Sequence, residues 1–354
     1  MHFFVLLPLL FATALAALPY KGVDWSSLLV EEKAGKTYKD TAGQVQPLES
    51  ILKASGVNTV RQRIWVNPSD GVYNLDYNLK LAKRAKAAGL GIYLDFHYSD
   101  TWADGGHQVT PAAWKDFTLQ QLTDEIYSYT KDVLDTFATN GIPLALVSIG
   151  NEIRGGMLWP TGQISKAGGT KNLSSLLHSA STAVKDSKLS PKPEIMIHLD
   201  NGWDFSTQEN WYDSVFGSNG GFGLANFDIQ GISYYPFYGS SATLAAVSSS
   251  MSKMAQKYGK TVMVAETDWP TYCPSPAYPF PSDTKSIPIS VDGQTQWMKT
   301  VASKVSGIGS QGQGIFYWEP AWIDNANLGS SCAYNLMVTD QGQAMASLGV
   351  FKSI

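Results

Sequence analysis

Short apolar runs recur along the chain, each followed by a loop and then by a stretch with helical spacing. The runs are rich in β-branched and aromatic residues and are nearly continuous in apolar character, which is typical of strands buried on both faces. Eight such runs are found, at residues 20–25, 59–65, 91–97, 145–152, 194–200, 228–235, 261–266 and 314–319. Helical patterns lie between them at 46–54, 77–88, 116–139, 174–187, 244–258 and 293–305, and several end at a glycine.

This alternation predicts a parallel sheet, and eight repeats in 354 residues predict that the sheet closes into a (β/α)8 TIM barrel. The alternative is an open doubly wound sheet, which usually carries a glycine-rich phosphate turn after its first strand. Here the first run ends in Asp24-Trp25-Ser26, which is not such a turn. Because no linker or charge block divides the chain, we predict one α/β catalytic domain over residues 17–354.

The N-terminus carries an apolar run over residues 3–16 that ends in Ala14-Leu15-Ala16, a small-x-small cleavage signal. The run is shorter than the roughly 20 apolar residues needed to span a bilayer. It therefore predicts a signal peptide over residues 1–16 rather than a membrane anchor. We expect a secreted, extracellular protein that has no membrane partner.

Secretion changes the interpretation of the cysteines and of one sequon. Cys273 and Cys332 form an even pair, which predicts one disulfide in an oxidising compartment, with two free thiols as the alternative. Asn172-Leu173-Ser174 predicts an N-glycan on a loop. The net charge of -4 and the lack of a basic segment exclude nucleic acid as a partner. A monomer is expected, since no predicted helix shows an unburied apolar stripe.

Two carboxylates stand out at the ends of the predicted strands. An α/β barrel has its active site at the C-terminal ends of its strands. Glu152 ends the fourth run and Glu266 ends the seventh, and strands four and seven face each other across an eight-stranded ring. The two side chains are therefore expected to converge, as glycoside hydrolysis by a pair of carboxyl groups requires. A buried structural pair bridged by Arg61 or Arg63 is the alternative.

Other composition features narrow the chemistry further. Aromatic residues make up 12% of the chain, with 11 Trp and 17 Tyr, which favours stacking platforms for sugars, although core packing accounts for many of these rings. The five histidines are scattered without metal-ligand spacing, and no nucleotide or flavin motif is found. We expect no cofactor and no required metal.

Several sequence blocks carry a family resemblance. The most specific is Leu94-Asp-Phe-His-Tyr-Ser-Asp-Thr-Trp-Ala103, and others include Ile149-Gly-Asn-Glu-Ile153, Ala265-Glu-Thr-Asp-Trp-Pro270 and Tyr317-Trp-Glu-Pro-Ala-Trp322. With these blocks, which span nearly the whole mature chain, the sequence resembles the fungal endo-β-1,4-galactanases of glycoside hydrolase family 53, in clan A. The resemblance implies a substrate, the β-1,4-galactan of type I arabinogalactan and pectin.

The resemblance also implies roles for the site residues. In clan A an Asn-Glu pair ends strand four and a lone Glu ends strand seven, so Glu152 is expected to be the acid/base and Glu266 the nucleophile of a retaining mechanism. Asn151 is expected to bind the sugar 2-hydroxyl. The predicted substrate-binding set is completed by Arg63, His97, Trp102, Tyr235 and Trp318.

Two questions about neighbouring residues stay open at this point. Arg61 and Arg63 alternate with Gln62 and so share a face, but the sequence does not decide which arginine orients the nucleophile. Asp268 and Glu319 are further carboxylates near strand ends, and we assign both to hydrogen bonding. Related bacterial enzymes carry calcium near Asp324 and Asn325; here the cysteine pair braces that region, so no metal is expected.

Two alternative functions follow from the same residues. One is a β-mannanase or endoglucanase of the same clan, with the mechanism kept and the sugar changed. The other is a non-catalytic sugar-binding barrel, which would usually have lost one of the two carboxylates, whereas this chain has both Glu152 and Glu266.

Overall fold

The computed structural model describes residues 17–354, and the predicted signal peptide over residues 1–16 lies outside the described residues. Eight parallel strands close into a barrel in which each strand pairs with its neighbours in chain order, so the predicted (β/α)8 barrel is confirmed. The barrel strands β1–β8 are Tyr20–Asp24, Thr59–Ile64, Gly91–Phe96, Leu146–Ile149, Glu194–Leu199, Ile229–Ser233, Thr261–Thr267 and Gly312–Tyr317.

Helices follow the strands and cover the outside of the barrel. Within the described part of the chain, α1–α8 are Leu28–Lys33, Leu48–Ala54, Leu75–Ala87, Leu119–Thr139, Gly169–Asp186, Phe205–Gly217, Leu244–Tyr258 and Val291–Ser306. The longest, α4, begins at a capping box in which Thr118 and Gln121 satisfy each other's backbone N–H groups. No helix among residues 17–354 is long and apolar enough to cross a membrane.

The lower interior of the barrel is filled by apolar side chains that point inward from six strands. This layer is made of Tyr93, Leu146, Met196, Ile229, Met263, Ala265 and Phe316. Gly22 on β1 makes room for it, since a Cβ at this position would lie 2.1 Å from the Phe316 ring. The Arg61 guanidinium lies 5.5 Å from the centroid of the Tyr93 ring, so a polar layer rests on the apolar one. Above the apolar layer, toward the C-terminal ends of the strands, the barrel interior is therefore polar.

The structure confirms the predicted disulfide but not the predicted loop position of the sequon. Cys273 and Cys332 are joined, as predicted, and connect the loops after β7 and β8. The expected loop position of Asn172 is wrong, because α5 begins at Gly169 after a left-handed Gly168 and includes the whole sequon. The Asn172 amide donates to the carbonyl of Thr161 at 2.8 Å. Whether Asn172 carries a glycan stays a prediction.

Left-handed backbone recurs just beyond the C-terminal ends of four strands. The residues are Tyr98 after β3, Glu152 after β4, Asn201 after β5 and Glu319 after β8, with φ values of 47°, 48°, 53° and 44°. Each such conformation costs a non-glycine residue about 1–3 kcal/mol and typically clusters at functional sites. One rim of the barrel therefore concentrates backbone strain, and both Glu152 and Glu319 belong to it.

Candidate active site

A cleft of about 620 Å³ opens at the C-terminal ends of the barrel strands. Glu152 and Glu266 both line it, and carboxylate oxygens of the two lie within 4.8 Å of each other. The other lining residues are Trp102, Asp104, Gly105, Gly106, Arg154, Asp200, Asn201, Trp203, Ser233, Tyr235, Tyr238, Trp318, Trp322, Asn325, Leu328 and Gly329. The strand order thus brings together two carboxylates that are 114 residues apart.

A bulge in β7 directs Glu266 toward the cleft. The register between β6 and β7 runs from Ile232 opposite Val264 to Ser233 opposite Glu266, so β7 contains one extra residue. Ala265 already points into the barrel interior. In a regular strand the side chain of the next residue, Glu266, would point outward to the helices. One extra residue in the strand turns this side chain to the opposite face of the sheet. The bulge therefore allows Glu266 to face the interior as well.

The Glu266 carboxylate is held at both oxygens and is only 6% exposed. Oε1 pairs with Nη1 of Arg61 at 2.7 Å, and Oε2 accepts a hydrogen bond from the Tyr235 hydroxyl at 2.8 Å. Burial raises the pKa of Glu266, while Arg61 and Tyr235 oppose that rise because both favour the ionised form. These contacts orient a charged carboxylate toward the cleft.

Arg61 is the cation at the centre of the polar layer. Its Nη2 donates to Asp95 at 2.7 Å and to the side-chain oxygen of Asn151 at 2.8 Å, and its Nη1 lies 3.2 Å from Asp24. Burial alone would raise the pKa of Asp95, but Arg61 and His97 outweigh burial and lower it. Arg61 is thus fixed by two carboxylates on neighbouring strands, Asp24 of β1 and Asp95 of β3, while it meets Glu266.

Glu152 has a different electrostatic environment from Glu266. It follows β4 after Gly150, whose φ of 118° turns the chain, and its side chain is half-buried. Burial raises the pKa of Glu152 well above its usual range, and the negative charges of Glu266 and Asp200 raise it further against a hydrogen bond from Ser233. Asp200 is itself held by Arg154, whose Nε lies 2.8 and 3.0 Å from its two oxygens. The surroundings favour a protonated Glu152.

One group of side chains has the composition of a metal site. Ligand atoms of Glu152, His198 and Glu266 lie within 4.8 Å of one another. Burial lowers the pKa of His198 to about 3, so its imidazole is neutral, and its Nε2 lies 2.9 Å from the Ser233 hydroxyl. Because Oε1 of Glu266 is already paired with Arg61 at 2.7 Å, we assign this group to the carboxylate pair of the cleft.

Comparison with known proteins agrees with this geometry. The sequence model of the family Glycosyl hydrolase family 53 matches residues 20–351 of this chain. The chain belongs to glycosyl hydrolase family 53. It is 58% identical over 338 residues to an arabinogalactan endo-β-1,4-galactanase of Thermothelomyces thermophilus, covering 96% of this chain and all of that protein.

Two solved structures extend the family 53 comparison. A structure of a fungal β-1,4-galactanase is 58% identical to this chain and superimposes with a TM-score of 0.93 over 96% of this chain and all of the other. The family 53 catalytic domain of Ignisphaera aggregans is 29% identical, with a TM-score of 0.83 over 98% of this chain and 99% of the other. The barrel of this family 53 member is therefore shared across distant relatives.

Several predicted site residues of this family 53 chain do meet in the cleft. Tyr235, Trp102 and Trp318 line it together with Glu152 and Glu266. Asn151 is buried beneath the cleft. Its side-chain oxygen accepts from Arg61, and its amide donates to the carbonyl of Ala103 at 2.8 Å. The structure also answers the question about the two arginines, since Arg61 is the one that contacts Glu266.

Arg63 and His97, two members of the predicted substrate-binding set, do not line the cleft. Arg63 lies behind Trp102 and pairs with Glu319. His97 accepts at Nδ1 from the indole of Trp65 and from the backbone N–H of Ala103, so its proton is on Nε2, 3.2 Å from Asp95. Both side chains are covered by loop residues that strand spacing does not locate.

The two further carboxylates differ from each other. Glu319 accepts hydrogen bonds from Ser27 and Arg63, as predicted, and burial raises its pKa to about 7. The assignment of Asp268 to hydrogen bonding is wrong for its Oδ1, which is buried without a partner among the described residues. Burial next to Glu266 raises the pKa of Asp268 well above its usual range, which favours the neutral carboxyl. A neutral carboxyl costs less free energy to bury without a partner than a charged one does.

Other cleft residues were absent from the predicted set. Those with charged or aromatic side chains are Asp104, Arg154, Asp200, Trp203, Tyr238 and Trp322. Asp200 ends the fifth apolar run, and Trp322 closes one of the blocks that carry the family resemblance, so both had a usable signal in the sequence. Arg154 lies in the short 3-10 helix Ile153–Gly155 and Trp203 in a turn, and no spacing rule identified them.

Proposed function

We propose that the chain is a secreted, retaining endo-β-1,4-galactanase that cleaves internal bonds of pectic galactan, with residues 17–354 as its catalytic domain. One observation carries the proposal: two carboxylates within 4.8 Å of each other occupy environments of different charge. A carboxyl separation near 5–5.5 Å is typical of retaining glycosidases, whereas inverting enzymes need about 6.5–9.5 Å to admit water. The galactan specificity is supported by the relatives that carry this name.

The first step transfers a galactosyl unit to the protein. Glu152, protonated because burial and nearby carboxylates raise its pKa, gives its proton to the glycosidic oxygen. Glu266, ionised and oriented by Arg61 and Tyr235, attacks the anomeric carbon. The C–O bond to the leaving sugar breaks, and an ester between the sugar and Glu266 forms.

The second step releases the sugar. Once Glu266 is esterified, its negative charge is gone and one cause of the raised pKa of Glu152 disappears. The Glu152 carboxylate then takes a proton from water, and the water oxygen attacks the anomeric carbon and displaces Glu266. Two inversions give a product with the original β configuration.

A comparison of substrates tests the proposal. The full-length chain is expressed in a fungal host, and the secreted protein is incubated with linear galactan, mannan and cellulose while reducing ends are measured. We expect fast release from galactan only, new reducing ends that appear first as the β anomer by proton NMR, and an N-terminus at Ala17. Cleavage of mannan or cellulose instead would establish another substrate, first products in the α form would exclude retention, and binding without hydrolysis would favour a sugar-binding barrel.

A further inference from the structure

The guanidinium of Arg63 is enclosed by three aromatic rings. Its carbon lies 4.2 Å from the ring centroid of Tyr73, 5.2 Å from that of Trp102 and 5.0 Å from that of Trp322. These distances fit cation–π contacts, which are strongest where water is excluded, and Arg63 is only 1% exposed. Trp102 and Trp322 also line the cleft.

A buried carboxylate connects Arg63 to a third tryptophan. Nη1 of Arg63 lies 2.7 Å from Oε1 of Glu319, the residue that follows Trp318 in the chain. Glu319 is fully buried and accepts from the backbone N–H of Ser27 at 2.9 Å and from its hydroxyl at 2.6 Å. The position of Trp318 is therefore fixed through its neighbour Glu319.

Trp102, Trp318 and Trp322 together form what we call the tryptophan wall of the cleft. Ring centroids of Trp318 and Trp102 are 5.8 Å apart, and those of Trp318 and Trp322 are 6.3 Å apart, with edge-on geometry in both cases. Each tryptophan contacts Arg63 or is adjacent to Glu319 in the chain. One ion pair thus contacts, from behind, two loops that supply the wall.

Hydrogen bonds account for only part of the environment of Arg63. Its Nε and Nη2 are buried without a hydrogen-bond partner among residues 17–354. The aromatic rings therefore surround the part of the guanidinium that makes no hydrogen bond. A planar guanidinium can lie against several rings at once, whereas an ammonium is a compact, strongly hydrated charge. Lysine at this position would keep the charge opposite Glu319 and lose most of the ring contacts.

We propose that the Arg63–Glu319 pair is a positioning element that holds the tryptophan wall in the geometry that binds sugar, although neither residue reaches the cleft. Sugars present apolar C–H faces to aromatic rings, so the affinity for a sugar chain depends on how these three rings are oriented. That the bound sugar is galactan rests on the proposed function. The contacts of Arg63 and Glu319 with the tryptophan wall do not depend on the proposed function.

Arg63→Lys tests the proposal, with Arg84→Lys as the matched control. Arg84 pairs with Glu32 and Glu49 on the outside of the barrel, so this control also removes an arginine–carboxylate contact. For Arg63→Lys we expect KM for galactan to rise about tenfold, or ~1.4 kcal/mol, while kcat stays within about threefold. We also expect a changed near-UV circular dichroism spectrum, since coupled tryptophan rings dominate it. Arg84→Lys should leave KM and the spectrum unchanged.

A second variant covers the case in which Arg63→Lys does not fold. Ser27→Ala removes the hydroxyl donor to Glu319, and it should raise KM in the same direction by a smaller factor, with the same change in the spectrum. A lowered melting temperature with unchanged KM and spectrum in a folded variant would overturn the proposal, and so would a fall in kcat alone.

The spectrum separates this proposal from the proposed function. If the wild type cleaves mannan or cellulose and not galactan, the proposed function fails, and KM is measured with the sugar that is cleaved. A changed spectrum together with a raised KM for that sugar would still support the positioning role. An unchanged spectrum would contradict it whichever polysaccharide is the substrate.

Discussion

Glu152 and Glu266 line the same cleft, but the charged groups that surround the two carboxyls differ. Near the end of β7, Glu266 contacts a buried arginine at 2.7 Å and a tyrosine hydroxyl at 2.8 Å. Beyond β4, burial and the negative charges of Glu266 and Asp200 act on Glu152. Burial raises the pKa of both carboxyls, but Glu266 is in direct contact with Arg61, which opposes the rise, whereas Arg154, the cation near Glu152, is paired with Asp200.

This difference shows that the surroundings can give two chemically identical side chains different pKa values. Two carboxyls of equal pKa would compete for one proton, whereas unequal surroundings give each a fixed protonation state. These surroundings favour the proton on Glu152 and the negative charge on Glu266. Each of the variants below removes one part of this contrast.

The largest effect is expected for Glu266→Gln, which keeps the shape of the side chain and removes the nucleophile. The rate of galactan hydrolysis should fall roughly 10⁴-fold or more, because the covalent route is lost. Asp268→Asn is the matched control. Asp268 is buried with a strongly raised pKa, so a neutral amide resembles its existing state, and its rate should stay within a few-fold of wild type. A Glu266→Gln enzyme that retains a tenth of the wild-type rate would contradict the assignment.

The next effect concerns the proton on Glu152. Glu152→Ala should slow galactan hydrolysis by about 10²–10⁴-fold, the usual contribution of a general acid. An aryl galactoside with a good leaving group needs no acid for its first step, so added azide should restore turnover and yield the β-galactosyl azide. With Glu266→Ala the azide would enter from the opposite face and give the α product. If azide rescues neither variant, both assignments are in doubt.

A smaller effect is expected when the support of Glu266 is weakened. Tyr235→Phe removes the hydroxyl that donates to Oε2 of Glu266, and a hydrogen bond to a charged group is worth about 1.5–3 kcal/mol, so kcat should fall about 10–100-fold. Loss of the donor also raises the pKa of Glu266. Because Glu266 must be ionised, the acidic limb of the kcat/KM profile should move to higher pH.

Tyr127→Phe is the control for that measurement, since the Tyr127 hydroxyl donates to Asp186 on the outside of the barrel at 3.0 Å. It should leave the profile unchanged. An acidic limb that does not move in Tyr235→Phe would mean that the hydroxyl does not stabilise the ionised carboxylate.

The sequence predicted the strands well and the surroundings of the carboxylates poorly, for a physical reason. A buried strand is recognised from local apolar character, and all eight runs coincide with barrel strands to within a few residues. Helix α6 was missed because aromatic and polar residues interrupt its pattern, although Trp211, Tyr212 and Val215 bury its inner face. Local patterns identify elements when burial repeats at a fixed period.

Contacts between loops have no such period. The fourth run was predicted to continue to Glu152, but β4 ends at Ile149. Alternation correctly put Arg61 and Arg63 on one face, yet only the fold brings Arg61 to Glu266 and covers Arg63 with rings from two loops. The β7 bulge that turns Glu266 and the pairing of Arg154 with Asp200 likewise depend on distant segments.

A still smaller effect is expected for Asp200→Asn, which removes a negative charge near Glu152 and the carboxylate partner of Arg154. Both changes favour the ionised form of Glu152 and therefore lower its pKa. Because Glu152 must be protonated, activity is lost as pH rises through this pKa, so the basic limb of kcat/KM should move about one unit to lower pH. The rate at the optimum should change less than about tenfold.

Asp104→Asn provides a graded comparison for this shift. Asp104 also raises the pKa of Glu152, but its charge acts on that carboxyl more weakly than the charges of Glu266 and Asp200 do. Its substitution should therefore move the basic limb in the same direction by a smaller amount, and the acidic limb should stay in place in both variants. A basic limb that moves to higher pH in Asp200→Asn would show that Asp200 acts on Glu152 other than through its charge, and the contrast between the two strand ends would then rest on Arg61 and Tyr235 alone.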